Sequence, residues 1–338
     1  MNAIIFPGQG SQAIGMGHEF YKNFNVAKQI FQEADDKLNF KISKLILEGP
    51  EKDLKLTQNT QPAILTTSYA IFSVMKKEFN FNFESSKYFA GHSLGEYSAL
   101  VSSEALKFED AVTLVFERGK AMQEAVPIGK GSMLAVIGLT IPEIKRFIEQ
   151  ISVNGICEIA NDNSEGQTIV SGDTKSIENL KNILIENKKR AIPLSVSAPF
   201  HCSLMKSAAT KMQNKINLTN FNIPKHEIIS NVTSSPEKDP KIIKELLIKQ
   251  IYSSVKWRES IIHMSKNNIS NFFEIGPGKV LTGMIKRTLK NTNCFSINSI
   301  DDIKSCLLYT SPSPRASQKA RMPSSAWEKN TGLGGGGG

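Results

Sequence analysis

An α/β fold, with a mainly parallel sheet covered by helices and a smaller unit inserted into it, is predicted by three features of the sequence. Short apolar runs bounded by Gly, Pro, Asn or Ser alternate with longer stretches of helical period. Midway along the chain this alternation gives way to a compact order in which two strands follow one another directly. Hydrophobic residues make up 40% of the 338, enough for a sizeable core.

The outer strands are read from "NAIIFPG", "KYFAGHS", "HEIISNV", "NFFEIGPG" and "NCFSIN". Helical period covers residues 24–36, 60–78, 94–106 and 109–125 between them. Strands that alternate with helices in this way form parallel sheets, because each crossover lays a helix on the sheet face.

The inserted unit begins with "SMLAVIGL", a strand followed by Thr140, Pro142 and Glu143. Thr can cap a helix, Pro suits its first turn and Glu completes a capping box. "GICEIAN" and "QTIVSG" are two further strands joined by the turn-rich "DNSEG". Asp173 then caps the helix "TKSIENLKNILIEN", and "RAIPLSVS" is a last strand. The order βαββαβ is ferredoxin-like, and it divides the chain into an outer domain at 1–126 and 197–305 and an insert at 127–196.

Residues 306–338, which end in "WEKNTGLGGGGG", are rich in Ser, Pro and Gly and lack an apolar period. Such composition cannot offset its ordering entropy, so this tail is expected to be disordered or artefactual. Part of the formal net charge of +9 lies there, where Arg315, Lys319, Arg321 and Lys329 stand against Glu328. The remaining lysines are dispersed without interleaved aromatics, which argues against nucleic acid and leaves acidic cofactors or acidic proteins as partners. No apolar run reaches the roughly 18 residues of a membrane span, and "MNAIIFPGQGSQ" does not resemble a secretory leader. A soluble, cytoplasmic protein is expected, with no membrane association. Cys157, Cys202, Cys294 and Cys306 have neither CxxC pairing nor metal-type spacing with histidine, so reduced thiols and no metal are expected.

Chemistry enters at "FAGHSLGEYSAL". Gly91-His92-Ser93-Leu94-Gly95 follows an apolar strand and precedes a helical pattern, which is the setting that gives GxSxG its meaning. A strand-to-helix turn exposes the serine hydroxyl, and the helix start directs partial positive charge toward a developing oxyanion. Ser93 is thus a candidate nucleophile, and the alternative is a turn serine that only caps a helix.

A base is sought among five histidines. His92 adjoins Ser93 and is expected to be aimed away by the turn, while His226 and His263 have ordinary surroundings. His201, in "SVSAPFHCSLM", stands where the chain re-enters the outer domain and can meet the elbow there. A buried structural histidine is the competing reading.

The opening "FPGQGSQAIGMG" lacks both GxGxxG and the Walker pattern, and "GPGKV" lacks Walker spacing. Phosphate cradling is therefore weakly supported, whereas a loop after the first strand can offer a second oxyanion donor. Arg118 falls on an apolar helix stripe with Leu114, Val115, Ala121 and Met122. Its charge can be met by a buried carboxylate, by snorkelling to water, or by a carboxylate-bearing substrate held by two parallel hydrogen bonds.

Taken together and in this order, "FPGQGSQ", "TQPAI", "GHSLGE", "ERGKAMQ", "HCSLM", "KQIYSSVKW" and "EIGPGKVLTGMIKR" resemble the malonyl-CoA:acyl carrier protein transacylases of bacterial fatty-acid synthesis. The resemblance runs to about residue 300, and polyketide acyltransferase domains share many of these motifs. It implies a hydrolase-like α/β core with a ferredoxin-like subdomain. It implies Ser93 as the acylated nucleophile, His201 as its base, and the Gln9 and Leu94 backbone N–H groups as the oxyanion hole. Arg118 would then hold the malonyl carboxylate, and the Gln250 backbone carbonyl would orient the histidine in place of an acidic third residue. Phe200 resembles the phenylalanine found beside this histidine in malonyl-selective members. Malonyl-CoA and acyl carrier protein are the implied partners, with no cofactor, and a monomer is the default.

Two other classes compete. A serine esterase or thioesterase would share the elbow but usually adds an acidic triad member and needs no Arg in its acyl pocket. A non-catalytic carrier-protein binding module would not need both Ser93 and His201.

Overall fold

The structure, a computed structural model, describes residues 1–151, 155–196 and 198–310. The outer strands are β1 (Asn2–Phe6) and β2 (Ser86–Gly91). Between them and the later strands come β3 (Gly131–Ile137), β4 (Cys157–Ser164), β5 (Gln167–Asp173) and β6 (Arg190–Pro193). β7 (Glu227–Ile229), β8 (Pro236–Glu237), β9 (Asn271–Ile275) and β10 (Asn293–Ile297) complete the outer part.

The large sheet has the order β10-β9-β1-β2-β7-β8 and is parallel except for β8. Its central strand shows why it is buried on both sides. Ala3 and Ile5 pack into one apolar layer with Tyr88, Ala90, Trp257 and Phe272, while Ile4 and Phe6 pack into the other with Phe89 and Phe273. Register aligns Ile4 with Phe89 and Ile5 with Ala90, so both layers continue across the strand pair.

The second sheet is antiparallel, ordered β4-β5-β3-β6. Leu134, Val136 and Val170 face the helices Ile141–Ile151 and Thr174–Glu186 through Ile144, Ile177 and Leu180. Met133, Ala135 and Ile169 on the opposite face pack into the main core. Both helix starts follow the sequence: Glu143 accepts from the Thr140 N–H and hydroxyl, and Asp173 accepts from the Ser176 N–H.

Several details differ from expectation. β4 continues through Ser164, so most of "DNSEG" is strand and only the Glu165–Gly166 step turns. Its polar end is paired by side chains from elsewhere: Arg258 clasps Asp162 through two nitrogens at 2.8 Å, and Asn163 meets His92. β6 stops at Pro193, short of the predicted strand, and Ser197 lies outside the described residues. The predicted helix at 94–106 ends at Ser102. A final helix, Ile300–Thr310, carries Ile303 and the 1%-exposed Cys306 into the core, so residues 306–310 belong to the folded part and the expected tail boundary shifts. The expected disorder of 311–338 falls outside the described residues. All four cysteines are free thiols, and burial raises Cys157 and Cys306 to about 12.

Candidate active site

β2 ends at Gly91, and the helix Gly95–Ser102 begins four residues later. The turn between them is held open by missing side chains. A Cβ on Gly91 would lie 1.9 Å from the Gly95 carbonyl carbon, and one on Gly95 would lie 2.3 Å from the Phe6 oxygen on β1. Ser93 occupies the apex with φ 53°, a left-handed conformation that L residues rarely adopt. Asn231 holds this strained turn from beneath, accepting the Ser93 N–H at 2.7 Å and donating to the Gly91 carbonyl at 2.7 Å.

His201 arrives on the segment that follows the insert, also with a left-handed φ, 58°. Its Nε2 lies 2.8 Å from Ser93 Oγ, and its Nδ1 lies 2.9 Å from the Gln250 backbone carbonyl. A carbonyl only accepts, so Nδ1 carries the proton and Nε2 accepts the serine hydroxyl. Burial, and then the neighbouring Arg118 cation, push His201 down to about 3, against the pull of the Gln250 carbonyl. The imidazole is therefore neutral at neutral pH and free to accept a proton.

Arg118 projects from the helix Phe108–Glu124 and is 1% exposed. It donates to Gln61 Oε1 at 2.8 Å, to Gln250 Oε1 at 2.8 Å and to Ser93 Oγ at 3.0 Å, and it lies over the Tyr97 ring. These hydrogen-bond partners are neutral. Among the described residues Arg118 forms no ion pair, and its Nε has no hydrogen-bond partner. The snorkelling reading does not describe this side chain, and no carboxylate bonds it directly: the buried Glu96 reaches it only through the Gln250 carboxamide.

Above these groups opens a cavity of about 390 Å³, the size of a small-molecule site. Gln9, Leu94, Ser93, His201, Arg118 and Phe200 line it, so every candidate except Gln250 reaches the cavity wall, and Gln250 acts from behind. Met122, Met133, Ile169 and Leu194 add an apolar side, while Val280, Leu281 and Met284 come from the segment after β9. His92 corrects an expectation: it lines the same cavity rather than turning away, because Asn163 Oδ1 fixes its Nε2 at 2.8 Å. His226 instead stacks on Phe89, and its Nδ1 lies 2.9 Å from the Ser86 carbonyl.

The Acyl transferase domain matches residues 3–319 of the chain. The malonyl CoA-acyl carrier protein transacylase of Bacillus subtilis (strain 168) is 42% identical over 304 residues, covering 89% of this chain and 95% of that protein. The chain belongs to the malonyl CoA-acyl carrier protein transacylase family. Among solved members, an acyl-carrier-protein-S-malonyltransferase from Bartonella henselae superposes with a TM-score of 0.89 at 42% identity, covering 91% of this chain and 98% of that one. A malonyl-transacylase solved in complex with its type II PKS acyl-carrier protein gives 0.88 at 37%, covering 91% and 99%.

Around this cavity, three residues escaped the sequence reading. Gln61 and Asn231 carry amides that hold the arginine and the elbow, and Glu96 lies beneath both. Gln61 stands inside the motif "TQPAI" and Glu96 inside "GHSLGE", so position in a motif was the available signal. Asn231 follows β7, the strand that pairs with β2, and topology alone brings it under Ser93.

Proposed function

We propose that the chain transfers a malonyl group from malonyl-CoA to the phosphopantetheine thiol of an acyl carrier protein, in fatty-acid synthesis, through an ester on Ser93. The observation that carries this reading is the buried Arg118 guanidinium 3.0 Å from the Ser93 hydroxyl, with no carboxylate bonded to it among the described residues. A buried cation with no carboxylate hydrogen-bonded to it can take one directly, and an acyl group whose carboxylate lies one methylene beyond its carbonyl brings one to this place.

The steps follow from the geometry. His201 Nε2 takes the Ser93 proton as Oγ attacks the thioester carbonyl, and the Gln250 carbonyl steadies the resulting imidazolium through Nδ1–H. The N–H groups of Leu94, at the helix start, and of Gln9, in the loop after β1, receive the oxyanion. The tetrahedral adduct collapses, the coenzyme A sulfur leaves with the proton from His201, and malonyl-Ser93 remains. The carrier thiol then gives its proton to His201 and attacks the ester, and the returning proton restores Ser93. Atoms and charges balance without a metal or redox cofactor. Phe200, buried beside His201 on the cavity wall, crowds a branched α-carbon.

The two-sheet arrangement supports a hydrolase-like core at 1–126 and 197–305 with a ferredoxin-like insert at 127–196, since the strand order β4-β5-β3-β6 is that of a βαββαβ unit. Among the described residues no helix is long and apolar enough to cross a membrane. A cytoplasmic monomer acting on soluble partners accords with this reading. Incubation with malonyl-CoA and a phosphopantetheinylated carrier protein tests it by intact mass. Malonyl on the carrier supports transfer; free malonate without carrier product would identify a thioesterase, and an unmodified enzyme and carrier would identify a binding module.

A further inference from the structure

Glu96 is a buried acid that the transfer steps leave unused. It is 2% exposed on the helix Gly95–Ser102, does not line the cavity, and makes no direct bond to Arg118 among the described residues. The fully buried carboxamide of Gln250 stands between the two. Its oxygen accepts from Arg118 Nη2 at 2.8 Å, and its nitrogen donates to Glu96 Oε2 at 2.8 Å. The amide dipole is thus aligned from the anion to the cation. The same Glu96 oxygen accepts the Asn231 N–H at 3.1 Å. Burial raises the Glu96 carboxyl to about 7, against the opposing pull of Asn231, Gln250 and Arg118.

We propose that Glu96 is a positioning residue that sets the charge preference of the acyl site: acting through Gln250, its carboxylate is the resident counter-charge of Arg118 and opposes a second anion arriving at the guanidinium. The inference rests on the reading that Arg118 receives the acyl carboxylate. In the free protein one negative charge balances one positive charge across the amide. When a malonyl group is attached, two carboxylates share one guanidinium, and Glu96 weakens the hold on the second. A site tuned in this way recognises the anion without trapping it, which suits an intermediate that must be passed on.

Glu96→Gln is a clean probe, because both donors reach one oxygen and a Gln carbonyl at that position keeps both hydrogen bonds while losing the charge. The experiment compares specificity constants for malonyl-CoA and acetyl-CoA at about pH 8.5, where the native carboxylate is ionised. The expected result is a rise of about tenfold in the malonyl-to-acetyl ratio. Malonylation should also raise the melting temperature of the variant more than that of the unaltered protein. Equal losses with both donors, or an unchanged ratio, would overturn the proposal and leave Glu96 a purely structural acid.

If Glu96→Gln does not fold, the ratio is read on the unaltered protein between about pH 6 and 8.5. Among the groups facing this network, burial takes His201 down to about 3 and Tyr97 up to about 12 and moves His92 downward, while a guanidinium stays a cation over this range, so Glu96, at about 7, is the group centred within it. A ratio that rises toward the acid side supports the proposal, and a flat one overturns it. Failure of the unaltered protein to form malonyl-Ser93 at all would instead sink the transfer reading itself.

Discussion

Ser93 and His201 meet at 2.8 Å with both backbones in the left-handed region, at φ 53° and 58°. Two such residues in contact mean that the surrounding structure imposes the pairing at a local cost of order 1–3 kcal/mol each. The restraints are visible. Asn231 and the glycines 91 and 95 hold the serine, while Glu158 on β4 accepts from the Ser203 N–H and hydroxyl two residues beyond the histidine.

The pKa of His201 leads to a stability prediction. Its folded value, about 3, lies below the ordinary 6.5, so between these values the unfolded chain binds more protons. The stability it contributes is present above pH 6.5 and is lost as pH falls toward 3. Glu96, raised from 4.5 to about 7, acts in the opposite sense: its contribution is present below 4.5 and is lost as pH rises through 7. Melting curves of His201→Gln should therefore fall less steeply on acidification than those of the unaltered protein. An unchanged slope would mean that His201 is not held neutral by the fold.

Arg118→Ala removes the guanidinium that would face the malonyl carboxylate. The expected cost to malonyl transfer is about 3–5 kcal/mol, the scale for breaking a buried pair, or roughly a factor of 10² to 10⁴ in specificity constant. Acetyl transfer should lose much less, because it brings no carboxylate. Parallel losses with both thioesters in a folded variant would make Arg118 structural.

Phe200 abuts His201 and is 7% exposed on the cavity wall. The unaltered protein should prefer malonyl-CoA over methylmalonyl-CoA, and Phe200→Ser should reduce that preference by roughly tenfold, the scale of one methylene in a close-fitting pocket. Competition assays with the two thioesters read this directly, and equal use of both by the unaltered protein would dismiss the pocket argument.

Most of the large sheet was legible because a strand buried on both faces reads as a nearly continuous apolar run, as in "AIIF" of β1 and "YFA" of β2. The elbow was legible because GxSxG imposes a local backbone geometry. The end of β4 was not, because its polar residues are satisfied by Arg258 and His92, partners distant in sequence that leave no periodic trace. Gln61, Glu96 and Asn231 were hidden for the same reason: each works through one or a few hydrogen bonds to residues distant in sequence. The last helix was missed because its apolar turn, Ile303 with Cys306 and Leu307, is too short to stand out beside a Ser- and Pro-rich segment.

That helix supplies its own test. Ending the chain at Ser305 removes the buried Cys306 and the partly buried Leu307, and should lower stability by about 1–3 kcal/mol. Ending it at Thr310 keeps both and should leave the melting temperature close to that of the full chain. Identical melts for the two truncations would show that the final turns contribute nothing.

The central claim is that Ser93 carries the malonyl group. Incubation with malonyl-CoA in the absence of carrier protein, followed by intact-mass and peptide mass measurement, examines it most directly. The account predicts one malonyl addition on the peptide containing Ser93, discharged by a phosphopantetheine thiol, and none in a folded Ser93→Ala variant. A malonyl adduct of equal yield in Ser93→Ala, or on any other peptide of the unaltered protein, would contradict it.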